Sequence, residues 1–92
     1  MKIYKTKFKD LLIIKQKNNL DKRGSLRETY SKKVFKENRF IFEYCTISKI
    51  NSLRGFHFQY KYPQAKYVNV LQGKILDCVV DLRRKSKTFG KI

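Results

Sequence analysis

The sequence predicts a mostly β domain, and two observations indicate it. Apolar and polar residues alternate with a period of two over five segments, as expected for strands with one buried face. No stretch shows the spacing of a long amphipathic helix. The predicted strands cover residues 11–16, 39–48, 53–60, 66–71 and 74–82. Five strands without closing partners leave exposed edges, so we expect the chain to be part of a larger β-sandwich.

The segments between these strands carry turn-forming residues. Asn, Asp and Gly are concentrated at residues 18–24, which predicts a loop. Ser31 suits the start of a single helical turn over residues 31–37. Gln72 and Gly73 are expected to form the hairpin turn before the last strand. In that strand, residues 76, 78, 80 and 82 share one face, which predicts a core side.

Length and composition predict one compact unit over residues 1–92. A chain of 92 residues is too short for two domains. No apolar run is long enough to cross a membrane, and the run at residues 11–14 is too brief for the core of a secretory signal. We therefore expect a soluble cytoplasmic protein without a membrane partner.

The formal charge of +16 indicates an anionic partner. The lysines are spread from Lys2 to Lys91 rather than gathered on one element, which favours solvated surface over a nucleic-acid footprint. The alternative function is a basic nucleic-acid-binding β module. Aromatic residues near lysines support it, because such residues stack on bases; they are Phe56, Phe58, Tyr60 and Tyr62.

The chain contains two cysteines and one histidine. Cys45 and Cys78 are too far apart for a CxxC motif, and we expect two buried free thiols. One histidine without a close cysteine pair leaves too few ligands for zinc. The sequence therefore predicts no metal and no cofactor.

His57 lies within LRGFHFQ, residues 53–59. Histidine is the side chain that exchanges protons most readily near neutral pH, so His57 is a candidate general base. The competing interpretation is a histidine that simply packs between aromatic side chains.

Four motifs, read in order, make the catalytic interpretation of His57 the stronger one. They are DKRGSLRETY at 21–30, LRGFHFQ at 53–59, PQAKYVNVLQGKILDCVVDLR at 63–83 and SKTFG at 86–90. Together they resemble the dTDP-4-dehydrorhamnose 3,5-epimerase family, and the resemblance extends from Phe8 onward. It implies the N-terminal portion of a cupin-like jelly-roll β-sandwich, a homodimer with exchanged strands, and no metal. The implied activity is isomerisation of a nucleotide-linked 4-keto-6-deoxy sugar for polysaccharide synthesis.

The resemblance also implies roles for individual residues. His57 is the expected base for the C3 and C5 protons, and Lys66 is expected to stabilise the enolate. The expected substrate-binding residues are Arg23, Glu28, Arg54, Gln59 and Asp77. Alternatives remain for several of them: Arg23 and Glu28 as a surface ion pair, Lys66 as one more surface lysine, and Asp77 as a structural carboxylate.

Asp81 and Arg83 are predicted to be structural, because charged side chains at the end of a strand order the loop that follows.

Some features depart from the family pattern. Ser25 and Leu26 replace the usual aromatic pair, and Phe42 and Tyr44 occupy positions that are usually polar. Sugar 3,4-ketoisomerases of the same fold are an alternative, but they carry a second histidine where this chain has Gln59. Family members are about twice as long, and their other half supplies a tyrosine acid and an aspartate that orients the histidine. Without a proton-transfer partner, we expect epimerisation about 10²–10⁴-fold slower.

Overall fold

The computed structural model describes residues 1–92, and its regular secondary structure is entirely β. Four short strands form two antiparallel hairpins. The first pairs β1, Lys2–Lys5, with β2, Leu12–Lys15. The second pairs β3, Asn18–Asp21, with β4, Gly24–Arg27. The mostly β prediction is confirmed, and β2 lies within the predicted strand at 11–16.

The loop predicted for residues 18–24 is instead a hairpin with a two-residue turn at Lys22 and Arg23. The Asp21 carboxylate accepts hydrogen bonds from the backbone N–H of Arg23, at 2.8 Å, and of Gly24, at 3.1 Å. An aspartate that binds its own backbone two residues on stabilises a turn. Asn and Asp composition here marks the ends of a hairpin rather than a long loop.

The four strands predicted between residues 39 and 82 have no ladder in this chain. A strand needs a partner for its backbone groups. The chain makes 18 backbone hydrogen bonds, of which 8 belong to the two hairpins. Folded domains form roughly one hydrogen bond per residue, so this number is low for 92 residues. The segments between residues 39 and 82 have strand-like sequences, but their backbone groups are not paired in a ladder. The bend at Gly73, with φ +83°, is likewise not flanked by a ladder.

The helical turn expected at 31–37 is present. Val34 and Phe35 donate their backbone N–H groups to the Ser31 carbonyl, at 3.0 and 3.1 Å. The turn brings Phe35 into an aromatic cluster, which we define as Tyr30, Phe35, Phe40 and Tyr67. Phe35 is one of only three buried residues, with Phe8 and Asp81.

Most apolar side chains between residues 41 and 82 are exposed to solvent. Leu53, Ile47 and Leu76 are each more than nine-tenths exposed. Cys45 and Cys78 are free, as predicted, but they are exposed and not buried, because nothing covers the face on which they lie. The structure contains no helix that could cross a membrane.

Candidate active site

His57 is exposed in the segment of residues 53–60, and its ring lies against Gly55. A Cβ at position 55 would be 3.5 Å from both the backbone nitrogen and Nδ1 of His57. Gly55 has φ +110°, a conformation that side-chain-bearing residues rarely adopt. The glycine of LRGFHFQ therefore allows the backbone conformation against which the imidazole rests.

Arg54 links this segment to the preceding one. Its Nη2 donates to the carbonyl of Ile47 at 3.3 Å. A guanidinium carries five donors, and this is its one hydrogen bond, so most of the fork remains available for an oxyanion.

Arg23 pairs with Asp21, not with Glu28. Its Nε and Nη2 lie 3.1 and 2.7 Å from Asp21 Oδ2, and its side chain is 91% exposed. The hydrogen bond from the Arg23 side chain is the main reason that the pKa of Asp21 is lowered. The alternative of an Arg23–Glu28 ion pair is therefore wrong, and Glu28 is exposed without a salt bridge.

A groove of about 390 Å³ runs beside the β3–β4 hairpin. Polar side chains dominate its lining, which consists of Asn18, Ser25, Arg27, Thr29 and Leu71. Arg27 donates from Nη2 to the carbonyl of Val70 at 3.3 Å, so the groove lies where the hairpin meets residues 66–71. Glu28 is adjacent in sequence to two of the lining residues.

Lys66, Gln59 and Asp77 are exposed and make no side-chain hydrogen bond or ion pair. No hydrogen bond or ion pair joins any two of the seven predicted site residues. Their shared role in one site stays a prediction. No three His, Cys, Asp or Glu side chains lie close enough together to hold a metal ion.

Asp81 is the centre of a polar network with Arg83, Ser86 and Thr88. The Ser86 and Thr88 hydroxyls each donate to Asp81 Oδ2 at 2.6 Å. Hydrogen bonds from the Arg83 side chain, and then from Ser86 and Thr88, hold the pKa of Asp81 far below its usual range. The structural role predicted for Asp81 and Arg83 is confirmed.

Sequence reasoning did not single out Tyr67 and Gln16. Tyr67 donates its hydroxyl to the Thr29 carbonyl at 2.7 Å and accepts a hydrogen bond from Gln16 Nε2 at 2.7 Å. Their partners lie far away in sequence, so no local pattern indicates these contacts.

Comparison with known proteins places the chain in a family. The family model for dTDP-4-dehydrorhamnose 3,5-epimerase matches residues 5–92. A dTDP-4-dehydrorhamnose 3,5-epimerase of Methanothermobacter thermautotrophicus is 40% identical over 91 residues, which cover 95% of this chain and 49% of the relative. The protein of the same name from Shigella flexneri is 37% identical over 97 residues, covering 99% of this chain and 54% of the relative.

A third relative of that name, from Neisseria gonorrhoeae, is 38% identical over 95 residues, covering 99% of this chain and 29% of the relative. No solved structure matches the chain. The chain spans about half the length, or less, of these relatives. The family has a cupin-type fold, in agreement with the predicted fold class. By its motifs and this match, the chain belongs to the dTDP-4-dehydrorhamnose 3,5-epimerase family.

Proposed function

We propose that this chain carries the proton-abstracting part of a nucleotide-sugar epimerase site, in one domain of which residues 1–92 are the N-terminal part. The substrate class is a dTDP-linked 4-keto-6-deoxy sugar. The observation that carries the proposal is the family match over residues 5–92, which includes LRGFHFQ and its single histidine.

His57 is the base in this proposal. The C4 carbonyl acidifies the C–H bonds at C3 and C5, and a neutral imidazole accepts the proton from either carbon. The electron pair of the broken C–H bond forms a C=C bond to C4, and the carbonyl π electrons move onto the oxygen. The products of this step are an enolate and an imidazolium. Exposure of His57 leaves its ring accessible to a sugar.

Lys66 stabilises the enolate. A positive ammonium near the C4 oxygen lowers the energy of the charge that develops there, and positioned donors of this kind commonly account for about 10²–10³-fold in rate. Lys66 suits this role because no carboxylate in the structure neutralises it.

The substrate-binding residues divide into two groups. Arg23, in the turn of the hairpin beside the polar groove, and Glu28, directly after that hairpin, are assigned to the nucleotide end, where a guanidinium matches phosphate oxygens. Arg54, Gln59 and Asp77 are assigned to the sugar. The free donors of Arg54 support its part in this assignment.

We assign the working form to a cytoplasmic homodimer with exchanged strands. Support comes from the unpaired edges of two two-stranded sheets and from the exposed apolar side chains between residues 41 and 82. Burial of such side chains is the main driving force for association. Sedimentation of the full chain should show a dimer at micromolar concentration, and a monomer would contradict this assignment.

Proton exchange and inversion are separable in this chain. Exchange needs a base and an enolate stabiliser, whereas inversion also needs an acid on the opposite face of the sugar. The resemblance assigns no residue of this chain to that acid. We therefore expect the assigned base and enolate stabiliser to support exchange of the C3 and C5 protons with solvent.

Incubation of the full chain with the keto sugar nucleotide in D₂O, followed by NMR, tests this function. Deuterium should enter C3 or C5 faster than in a protein-free control. Lys61→Met serves as a matched control for Lys66→Met, since Lys61 is also exposed but lies outside the assigned site. Exchange no faster than in the protein-free control would contradict the proposed function.

A further inference from the structure

The Tyr67 hydroxyl joins three distant parts of the chain. It donates to the carbonyl of Thr29, just after β4, and accepts from the side-chain amide of Gln16, just after β2. The same Gln16 nitrogen lies 3.3 Å from the Thr29 carbonyl and 3.4 Å from Asn69 Oδ1. We call this arrangement of Gln16, Thr29, Tyr67 and Asn69 the Tyr67 clasp.

The ring of Tyr67 is fixed as well as its hydroxyl. Its centroid lies 4.6 Å from that of Phe35, and 6.3 Å from that of Phe40, within the aromatic cluster. Aromatic pairs at these distances stabilise a defined orientation. Both ends of the side chain are therefore held, in a structure where most other large side chains are exposed.

A second contact reinforces the first. Arg27 Nη2 donates to the Val70 carbonyl at 3.3 Å. Arg27 pairs with Asn18 in the β3–β4 register, so the bond attaches the hairpin itself to residues 66–71. The two attachments, at Tyr67 and Val70, restrict both the position and the direction of this segment.

Burial alternates from Lys66 to Asn69. Tyr67 and Asn69 are half-buried, whereas Lys66 and Val68 are exposed. Successive side chains of an extended chain point to opposite sides. Anchoring Tyr67 on the inner side therefore sets where the neighbouring Lys66 emerges on the outer side.

We propose that Tyr67, held by Gln16, is a positioning residue that fixes Lys66 relative to the β3–β4 hairpin, which carries Arg23 in its turn and is followed directly by Glu28. This inference rests on the proposed function, in which Lys66 stabilises the enolate and the hairpin binds the nucleotide. In this proposal Tyr67 acts through Lys66 rather than on the substrate. It sets the distance between the two ends of the substrate site.

Tyr67→Phe tests the inference, because it removes the hydroxyl and keeps the ring. Tyr60→Phe is the matched control, since Tyr60 is 89% exposed. A displaced catalytic group commonly costs on the order of 10- to 100-fold in rate. We expect Tyr67→Phe to slow deuterium exchange at saturating substrate by that factor while KM changes less than about threefold, and Tyr60→Phe to leave both unchanged.

A second background distinguishes positioning from general stability. If Tyr67 acts through Lys66, Tyr67→Phe should slow exchange by less than about twofold in a Lys66→Met chain, because groups that act as a unit are non-additive. An equal loss in both backgrounds would show a merely structural role and overturn the inference.

The failure of the proposed function has a different signature. If the wild-type chain shows no deuterium exchange, the proposed function is wrong. The Tyr67 clasp is then tested separately, by amide NMR spectra of the full chain. Tyr67→Phe should shift the signals of Lys66 and of β4 together, while Tyr60→Phe leaves them in place. Unmoved β4 signals in Tyr67→Phe would overturn the clasp itself.

Discussion

Arg83 and Asp81 form a bidentate ion pair, in which Arg83 Nε lies 2.9 Å from Asp81 Oδ1 and Arg83 Nη2 lies 3.0 Å from Asp81 Oδ2. The backbone N–H of Arg83 also donates to Oδ1 at 3.0 Å, and Arg83 Nη1 reaches Asp10 at 3.1 Å. The side chain of Asp81 is only 4% exposed. This pair connects the first hairpin's loop to the turns at residues 83–90.

Asp81→Asn should loosen the turns at residues 83–90. The amide loses the charge that Arg83, Ser86 and Thr88 hydrogen-bond to, and its NH₂ group cannot accept from them. Trypsin should then cleave after Arg83, Arg84 or Lys87 roughly tenfold faster, since cleavage follows the open population. Asp77→Asn is the control, because Asp77 is exposed without a hydrogen bond. Equal cleavage rates in both variants would contradict the account of this network.

The lowered pKa of Asp81 predicts acid sensitivity of the same turns. A carboxyl whose pKa is lower folded than unfolded contributes stability above its unfolded pKa, about 3.9, and loses it as pH falls toward the folded value. The amide signals of Ser86 and Gly90 should therefore hold from pH 7 to about 4 and broaden or shift below it. An Asp81→Asn chain should lack this transition, and the same transition in that variant would assign it to another group.

Gly55→Ala should displace His57. A residue with a side chain at φ +110° is strained, and relief of the strain moves the backbone against which the imidazole rests. We expect proton exchange to fall on the order of 10²-fold. Gly73→Ala is a matched control, because Gly73 has φ +83° and its added Cβ would meet nothing within 4 Å. Similar losses in the two variants would indicate strain alone.

Lys66→Met should slow exchange by about 10²-fold, because the substitution keeps the length of the side chain and removes its charge. Lys61→Met should leave the rate within about twofold, since surface charges distant from a site act weakly through water. Initial rates of deuterium incorporation compare the two. Equal rates would support the alternative in which Lys66 is an ordinary surface lysine.

The extent to which the sequence predicts the structure differs between segments, for physical reasons. Alternation at residues 74–82 predicts a strand, but a ladder also requires a neighbouring strand, and the structure has none paired with this segment. The segment Asn18–Arg27 forms a hairpin, although its Asn and Asp residues are typical of loops and predict a loop at residues 18–24. Asp21 nevertheless uses its side chain to close the turn, so the same composition produces a hairpin.

In the candidate site, too, some residues can be predicted from local sequence and others cannot. LRGFHFQ predicts His57 as the base from local sequence, and the glycine near the histidine ring is only two residues away. Tyr67 could not be identified in this way, since Gln16 and Thr29 are 51 and 38 residues away. Contacts of such separation follow from how the segments meet, which periodicity does not encode.

The most direct test of the central claim is deuterium incorporation at C3 and C5 of the keto sugar nucleotide by the His57→Ala chain. Incorporation should fall to the protein-free rate, and added imidazole should restore part of it, because free imidazole replaces the missing base. Asp21, Arg23 and the Asp81 network lie outside the segment of residues 53–59 that contains His57. Their NMR signals should therefore remain in the variant and report an intact fold. Full incorporation by His57→Ala would contradict the assignment of His57 as the base.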